Sequence, residues 1–539
     1  MDSVKQFLTT HNKRFWVIVL WVSVLSFVVY KSFHFLDTDI YNVIPTGRYI
    51  LENGFPKENP FTFNPGLSVV IYNWLYSVVL ALFYNKLYTF GLWILHFCTL
   101  ILFFTCVFRF FKFRESKNKI LIAFFTIVLL VMFGYVNLRA ELLTFILLVV
   151  EIDAIERFRD TGKTRYLWLL PLTVLLEINS HASYWVVHYV VLLPYLVPLP
   201  HFLGLKDVHI SGRYFIKMLP YLLFSILMLF INPYGVGNVL YVFYALTSGI
   251  LGFSNILEQN PFSISSPFSI GFIVFLIFFL VMLYKKKLLS TEFYMYIGFS
   301  FLFFFAAKWL PFYTISLMFL FRCLYRQTIG KEYLRIEEFK FPNFISVLIA
   351  IANIFLIGLA IYVKQIDIVN VFNTTSDFYM DTYGNDNTHT FYALDSLADY
   401  LDDNDPDATV YAYFHRANYF EFRGYKIFTD SRPELYVKEI CGTDDYSILD
   451  YKVAYGCDIV SLHRDNSKNK MNHVLTYDMN KVDYVLSYAE YGRAVDSVNA
   501  DYYVVDVTSN PALYHYLEDN TDKYECVATS GEYLMFKRL

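Results

Sequence analysis

The chain changes solvent partway along its length. Up to about Val363 it is a series of apolar runs separated by basic clusters, and beyond that it reads as a soluble, acidic domain. Residues 365–539 hold 30 of the 48 Asp and Glu but only 14 of the 44 Lys and Arg, a balance of −16 against +12 for the rest, which the overall −4 conceals. Hydrophobic residues make up 56% of the chain, above the roughly 45–50% of soluble domains. The 55 Phe and 46 Tyr suit lipid-facing and interfacial positions. The expectation is a polytopic α-helical membrane protein with a C-terminal soluble α/β domain. The first part, 1–365, would contain a long first outer loop, 36–87, and the domain 366–539 would lie outside the cytoplasm.

Eleven candidate spans follow from hydropathy: 15–35, 88–108, 120–136, 142–155, 166–178, 184–203, 215–231, 268–283, 293–307, 309–324 and 341–363. The first is too long for a signal-peptide core and reads as a retained span. With the N-terminus in the cytoplasm, alternate loops carry basic clusters such as Arg109 to Lys119, Arg157 to Arg165 and Lys285 to Lys287. The opposite loops carry only Arg48, Lys57, Lys86, Arg139 and Lys308, as the orientation bias of lysine and arginine requires. Counting residues 66–84 as a further span would invert every later basic loop, so this segment is expected to be a helix lying along the outer face; 236–251 receives the same reading. The arrangement predicts a multi-pass protein of the plasma membrane with its tail outside.

In the tail, 393–401 and 510–520 read as helices, and 409–413, 425–428, 482–486, 502–507 and 534–537 as strands. A Cys441–Cys457 disulfide is open to an extracytoplasmic tail. No G-x-G-x-x-G, Walker A or zinc signature occurs, which counts against a nucleotide-driven machine, and no nucleic-acid partner is expected.

Polar residues gather at the outer ends of the spans under this topology. Asp37-Thr38-Asp39 follows the first span, and a carboxylate there can act as a general base or bind a cation, or simply cap the next helix. Arg139-Ala140-Glu141 offers a phosphate clamp or an interfacial ion pair. Glu177 and Asn179-Ser180-His181 place ionisable groups at membrane depth, where they are costly and often functional. Lys308 can meet an anionic head group or snorkel. Asp430 and Arg432 are the most pointed tail residues, with a structural ion pair as the plainer reading.

The order of Asp37-Thr38-Asp39, the loop from Tyr41 through Arg48 to Pro56, Asn73-Trp74-Leu75, Arg139-Ala140-Glu141 and Asn179-Ser180-His181 resembles the GT-C superfamily of integral-membrane glycosyltransferases. The resemblance is particularly to bacterial members similar to the protein O-mannosyltransferase and aminoarabinose transferase branch, over roughly residues 15–308. In the tail, Gly424-Tyr425-Lys426-Ile427-Phe428-Thr429-Asp430-Ser431-Arg432 resembles a stretch in the outer domains of such proteins. The resemblance implies an inverting transferase that takes sugar from a polyprenyl-phosphate donor to a glycan, lipid or protein acceptor. Asp39, or failing that Asp37, would be the base, and Arg139 and Lys308 would hold the leaving phosphate. Glu141, Asn179, His181 and Arg48 would shape the pocket. The adjacent Asp-Glu pair of the mannosyltransferase branch is replaced here by Asp-Thr-Asp, so the choice of base is open. No cofactor is required by any motif; a divalent cation is admissible, without a convincing ligand set. Two other classes compete: a transporter or flippase of lipid-linked sugar, and a non-catalytic envelope assembly protein that keeps the fold. The transporter predicts polar groups through the midplane, not only at one face.

Overall fold

The structure, a computed structural model, describes residues 25, 28, 29, 32, 39–110, 137–196, 212–247, 269–284, 291–324, 326–329, 332–335, 388–455, 473–477, 483–507 and 510–539. Asp37, Cys457, the expected spans 120–136 and 341–363 and all but four residues of 15–35 lie outside them, as does the end of 184–203. The described chain is mostly helical, with one five-stranded sheet near the C-terminus. It divides into two compact units. One comprises Met1–Phe35, Phe90–Ile231 and Leu257–Phe372; the other comprises Leu36–Thr89, Asn232–Ile256 and Asn373–Leu539. The segments read from sequence as outer loops thus belong to the same unit as the tail.

In chain order the main helices are α1 (Ile40–Asn53), α2 (Trp74–Phe110), α3 (Ala140–Thr161), α4 (Leu169–Ser180), α5 (Trp185–Val190), α6 (Gly212–Met228), α7 (Val236–Thr247), α8 (Ser269–Tyr284), α9 (Thr291–Phe305) and α10 (Leu310–Leu324). The tail adds α11 (Thr388–Asn404), α12 (Phe414–Arg423), α13 (Asp445–Tyr455), α14 (Tyr488–Val498) and α15 (Pro511–Asp519).

The first unit is held by aromatic and aliphatic packing. Phe145 of α3 meets Phe312 of α10 at 5.3 Å, and Phe303 of α9 stacks on Tyr313 of α10 at 5.1 Å. Helix α3 leaves an extended Arg139 and ends at Gly162, whose φ of 68° is open to glycine without a Cβ penalty. It buries Phe145, Leu148, Ile152 and Ile155, and it also buries Glu151, Asp153 and Glu156. A segment expected to be a plain apolar span is therefore a helix with three inward carboxylates.

That composition bears on the expected eleven spans. Among the described residues one helix, α2, is long and apolar enough to cross a membrane, while the other apolar helices run 10–17 residues. The count of eleven is not supported. Helix α2 also replaces two expected elements. Residues 66–72 are not helical: Gly66 has φ +76°, and Asn59 donates its amide to the Leu67 carbonyl at 2.7 Å. The helix starts at Trp74 and runs on through Asn85, Lys86 and Leu87 to Phe110, interrupted only at Tyr88 (φ 51°, ψ −138°). The stretch after Tyr88 rises about 33 Å at 1.5 Å per residue, enough for a bilayer core of about 30 Å.

In the second unit the strands are β1 (Thr409–Ala412), β2 (Lys426–Ile427), β3 (Tyr502–Asp506), β4 (Tyr524–Ser530) and β5 (Tyr533–Arg538), in the order β2-β1-β3-β5-β4. The first three are parallel and the last two antiparallel. All five residues of β3 are buried, as a central strand covered on both faces demands. The edge at β2 does not stand open. Residues 61–63 run alongside it, Ile427 donating to the Phe61 carbonyl and Phe63 to the Ile427 carbonyl, both at 3.0 Å. The Asn64 side chain then donates to the Phe428 carbonyl at 2.7 Å. Covering an edge in this way removes a template for unwanted strand pairing.

Helix α1 packs on α12, where Tyr41 meets the edges of Tyr419 and Phe422 at 5.4 and 5.3 Å. Its other neighbour is α2. A Cβ on Gly47 would overlap the Ser77 carbonyl and lie 2.8 Å from the Ala81 methyl. An exposed helix gains about 1 kcal/mol from Gly→Ala, but here overpacking, typically ~1–3 kcal/mol, should win. Gly47→Ala is expected to lower the urea midpoint of the purified chain. A midpoint equal to or above wild type would mean that α1 and α2 are not this close.

Candidate functional site

The expected site residues fall into two groups, one in each unit. In the first unit Arg139 precedes α3 and Glu141 lies in its first turn, where a carboxylate suits the positive end of the helix dipole. His181 follows α4, its amide donating to the Glu177 carbonyl at 2.8 Å. Its Nε2 stands 3.8 Å from a Glu141 oxygen. The ring also meets Tyr184 at 4.7 Å, and Tyr184 meets Trp309 at 6.0 Å, so the short 3-10 turn holding Lys308 is tied to the same neighbourhood. Asn179 is braced differently: its side-chain nitrogen donates to the Leu175 and Ile231 carbonyls at 2.8 and 2.9 Å. It ties the chain after α6 to α4.

Below this cluster lies a set of residues that the sequence reading did not single out, apart from Glu177. Thr144 donates to Glu177 at 2.7 Å and stands 3.3 Å from His181 Nδ1. His188 of α5 lies between two carboxylates: its Nδ1 bonds Glu151, and its Nε2 is 3.4 Å from Glu177. All of these are buried. Further along α3, Arg157 binds Asp153 at 2.7 Å, while Tyr195 and Arg159 both reach Glu156 at 2.9 Å. The polar groups of this unit run the length of α3. They do not stay at one end, contrary to the crowding expected from sequence. The signal was present in the spacing: positions 141, 144 and 151 share one helical face, and His188 follows His181 by seven residues.

In the second unit Asp39 stands at the start of α1. Its carbonyl accepts from Asn42 and Val43 at 3.2 and 3.1 Å, but its side chain makes no capping bond, so the simple helix-cap role is not the one it fills. Arg48 donates to Asn85 at 2.8 Å and lies over the rings of Tyr84 and Phe422 at 5.2 and 5.6 Å. Among the described residues no group of three or more His, Cys, Asp or Glu is placed to hold a metal ion. Protein-family models and curated proteins offer no match to this chain.

Asp430 and Arg432 form a buried structural pair. Arg432 donates to Asp430 at 2.8 Å and to Glu421 at 2.7 Å, and its guanidinium lies 4.4 Å from the centre of the Phe61 ring. Glu434 is buried nearby, and burial, opposed by Arg432, pushes its carboxyl up to about 8. Burial likewise raises Asp450 to about 6 against hydrogen bonds from Tyr436 and Tyr411. Both groups hold a proton in the folded state at pH values where the unfolded chain has released it. Stability therefore falls as pH rises from about 5 to 8, by an amount on the order of a few kcal/mol. Pulse proteolysis of the tail in urea should give a lower midpoint at pH 8 than at pH 5, and Glu434→Gln should flatten the dependence. A midpoint that rises with pH would contradict this assignment.

Proposed function

We propose that the chain is a plasma-membrane glycosyltransferase of the GT-C type, transferring sugar from a polyprenyl-phosphate carrier to an acceptor on the outer face. The observation that supports it is the gathering of Glu141, His181 and the Lys308–Trp309 turn, from distant parts of the sequence, around the start of α3 beside Arg139. Acid–base groups and cations set together suit a reaction in which a hydroxyl loses a proton and a phosphate gains charge. The resemblance, not a shared geometry, assigns Asp39 as the base that takes the acceptor proton as the hydroxyl oxygen attacks the anomeric carbon. The bond from that carbon to the phosphate oxygen breaks, and the lipid phosphate leaves with its charge held by Arg139 and Lys308. Attack opposite the leaving group inverts the anomeric centre. By the same resemblance Glu141, Asn179 and His181 of the first unit and Arg48 of the second are substrate-binding residues, and the tail helps bind the acceptor.

A second reading draws on a different observation. The buried Glu177–His188–Glu151 set places ionisable groups through the interior of the first unit, as a proton-coupled transporter of lipid-linked sugar would need. The two readings separate in one experiment on proteoliposomes. A transferase consumes the donor and releases polyprenyl phosphate, whereas a transporter moves the donor intact between leaflets.

A further inference from the structure

We propose that Glu141, His181, Thr144, Glu177, His188 and Glu151 form a proton relay inside the first unit, with His188 as its carrier. The links alternate groups that can both give and take a proton. Glu141 stands 3.8 Å from Nε2 of His181, and Nδ1 of that ring is 3.3 Å from the Thr144 hydroxyl. Thr144 is bonded to Oε1 of Glu177 at 2.7 Å, and Oε2 of Glu177 lies 3.4 Å from Nε2 of His188. The other ring nitrogen of His188 is bonded to Glu151. Glu141 and Glu151 are ten residues apart on α3, a rise of about 15 Å.

Burial decides between a relay and a set of separate ion pairs. The Glu141 side chain is 25% exposed, so the outer end exchanges with water, whereas Glu177, His188 and Glu151 are at most 1% exposed. One link is open. Glu177 Oε2 and His188 Nε2 face each other across 3.4 Å without an aligned hydrogen bond, and neither atom has another hydrogen-bond partner among the described residues. Leaving two buried polar atoms unbonded is costly, and a small rotation of the His188 ring closes the gap. Charge is conserved at each hop. As Glu177 takes a proton from the Thr144 hydroxyl, that oxygen takes one from His181 Nδ1, and His181 Nε2 is reprotonated from Glu141. Glu177 starts protonated on Oε2 and passes that proton to His188 Nε2 as Oε1 takes the one from Thr144, while His188 Nδ1 delivers one to Glu151. One proton enters for each that leaves the ring, which afterwards returns to its starting tautomer. The relay serves transferase or transporter equally, and its test requires neither activity.

Thr144 is the link to cut, because it lies between the wet and dry ends and has a close isostere. The ring N–H signal of His188 in the full-length protein, labelled with ¹⁵N-histidine and assigned by its loss in His188→Gln, reports exchange with deuterated solvent. Thr144→Val is expected to slow that exchange by on the order of tenfold or more, with Thr144→Ser restoring it. A merely loosened structure would speed exchange instead. Equal or faster exchange in Thr144→Val, or failure of Thr144→Ser to restore the wild-type rate, overturns the relay.

Discussion

Asp39→Asn is expected to lower transferase turnover by ~10²–10⁴-fold, the range for loss of a positioned acid–base group, while leaving donor binding close to wild type. The amide keeps the shape and cannot accept the acceptor's proton. The backbone carbonyl of Asp39 that starts the helix is unaffected by the change. Arg139→Ala should behave differently, weakening donor binding as well as rate, because charge-assisted contacts to phosphate act before and during the transition state. Asp37→Asn is the control. A larger loss there than at Asp39 transfers the base to Asp37, and full activity in both variants removes the mechanism.

Arg432→Met should cost the second unit ~3–5 kcal/mol, the usual penalty for removing one partner of a buried charge pair. It leaves Asp430 and Glu421 buried without their cation, with Glu434 close by, and removes the guanidinium from the face of Phe61. Since protonation relieves stranded carboxylates, the deficit should shrink as pH falls towards 5. Urea midpoints at two pH values measure both effects. If Arg432 instead served the acceptor, the variant would lose activity at wild-type stability.

The tail was largely legible because its elements are short and strongly patterned. The run Tyr502 to Asp506 reads as a buried strand and is one, and Gly424 marks the end of α12 just before Lys426–Ile427. Residues 74–84 are helical as expected, but 66–73 misled for a physical reason. Their apolar content suits either a surface helix or a packed extended segment, and only the Leu67–Asn59 bond and the positive φ of Gly66 decide between them. Glu151 and His188 were hidden by the same ambiguity. A carboxylate near the end of an apolar run looks like a loop residue until its partner, 37 positions away, is known. Glu177 was visible because it interrupts an apolar run, although neither Thr144 nor His188 could be named as its partner from spacing. That residues 61–63 would cover the edge of the tail's sheet lay beyond any local pattern, since the pairing spans more than 360 positions.

The most direct measurement is to give the purified chain a panel of polyprenyl-phosphate sugars, with membrane extract as the acceptor source, and to assay free polyprenyl phosphate. A transferase releases it from at least one donor, and Asp39→Asn abolishes the release while still binding that donor. No release from any donor by a well-folded wild-type protein, with intact donor found to have crossed the bilayer, would contradict the account.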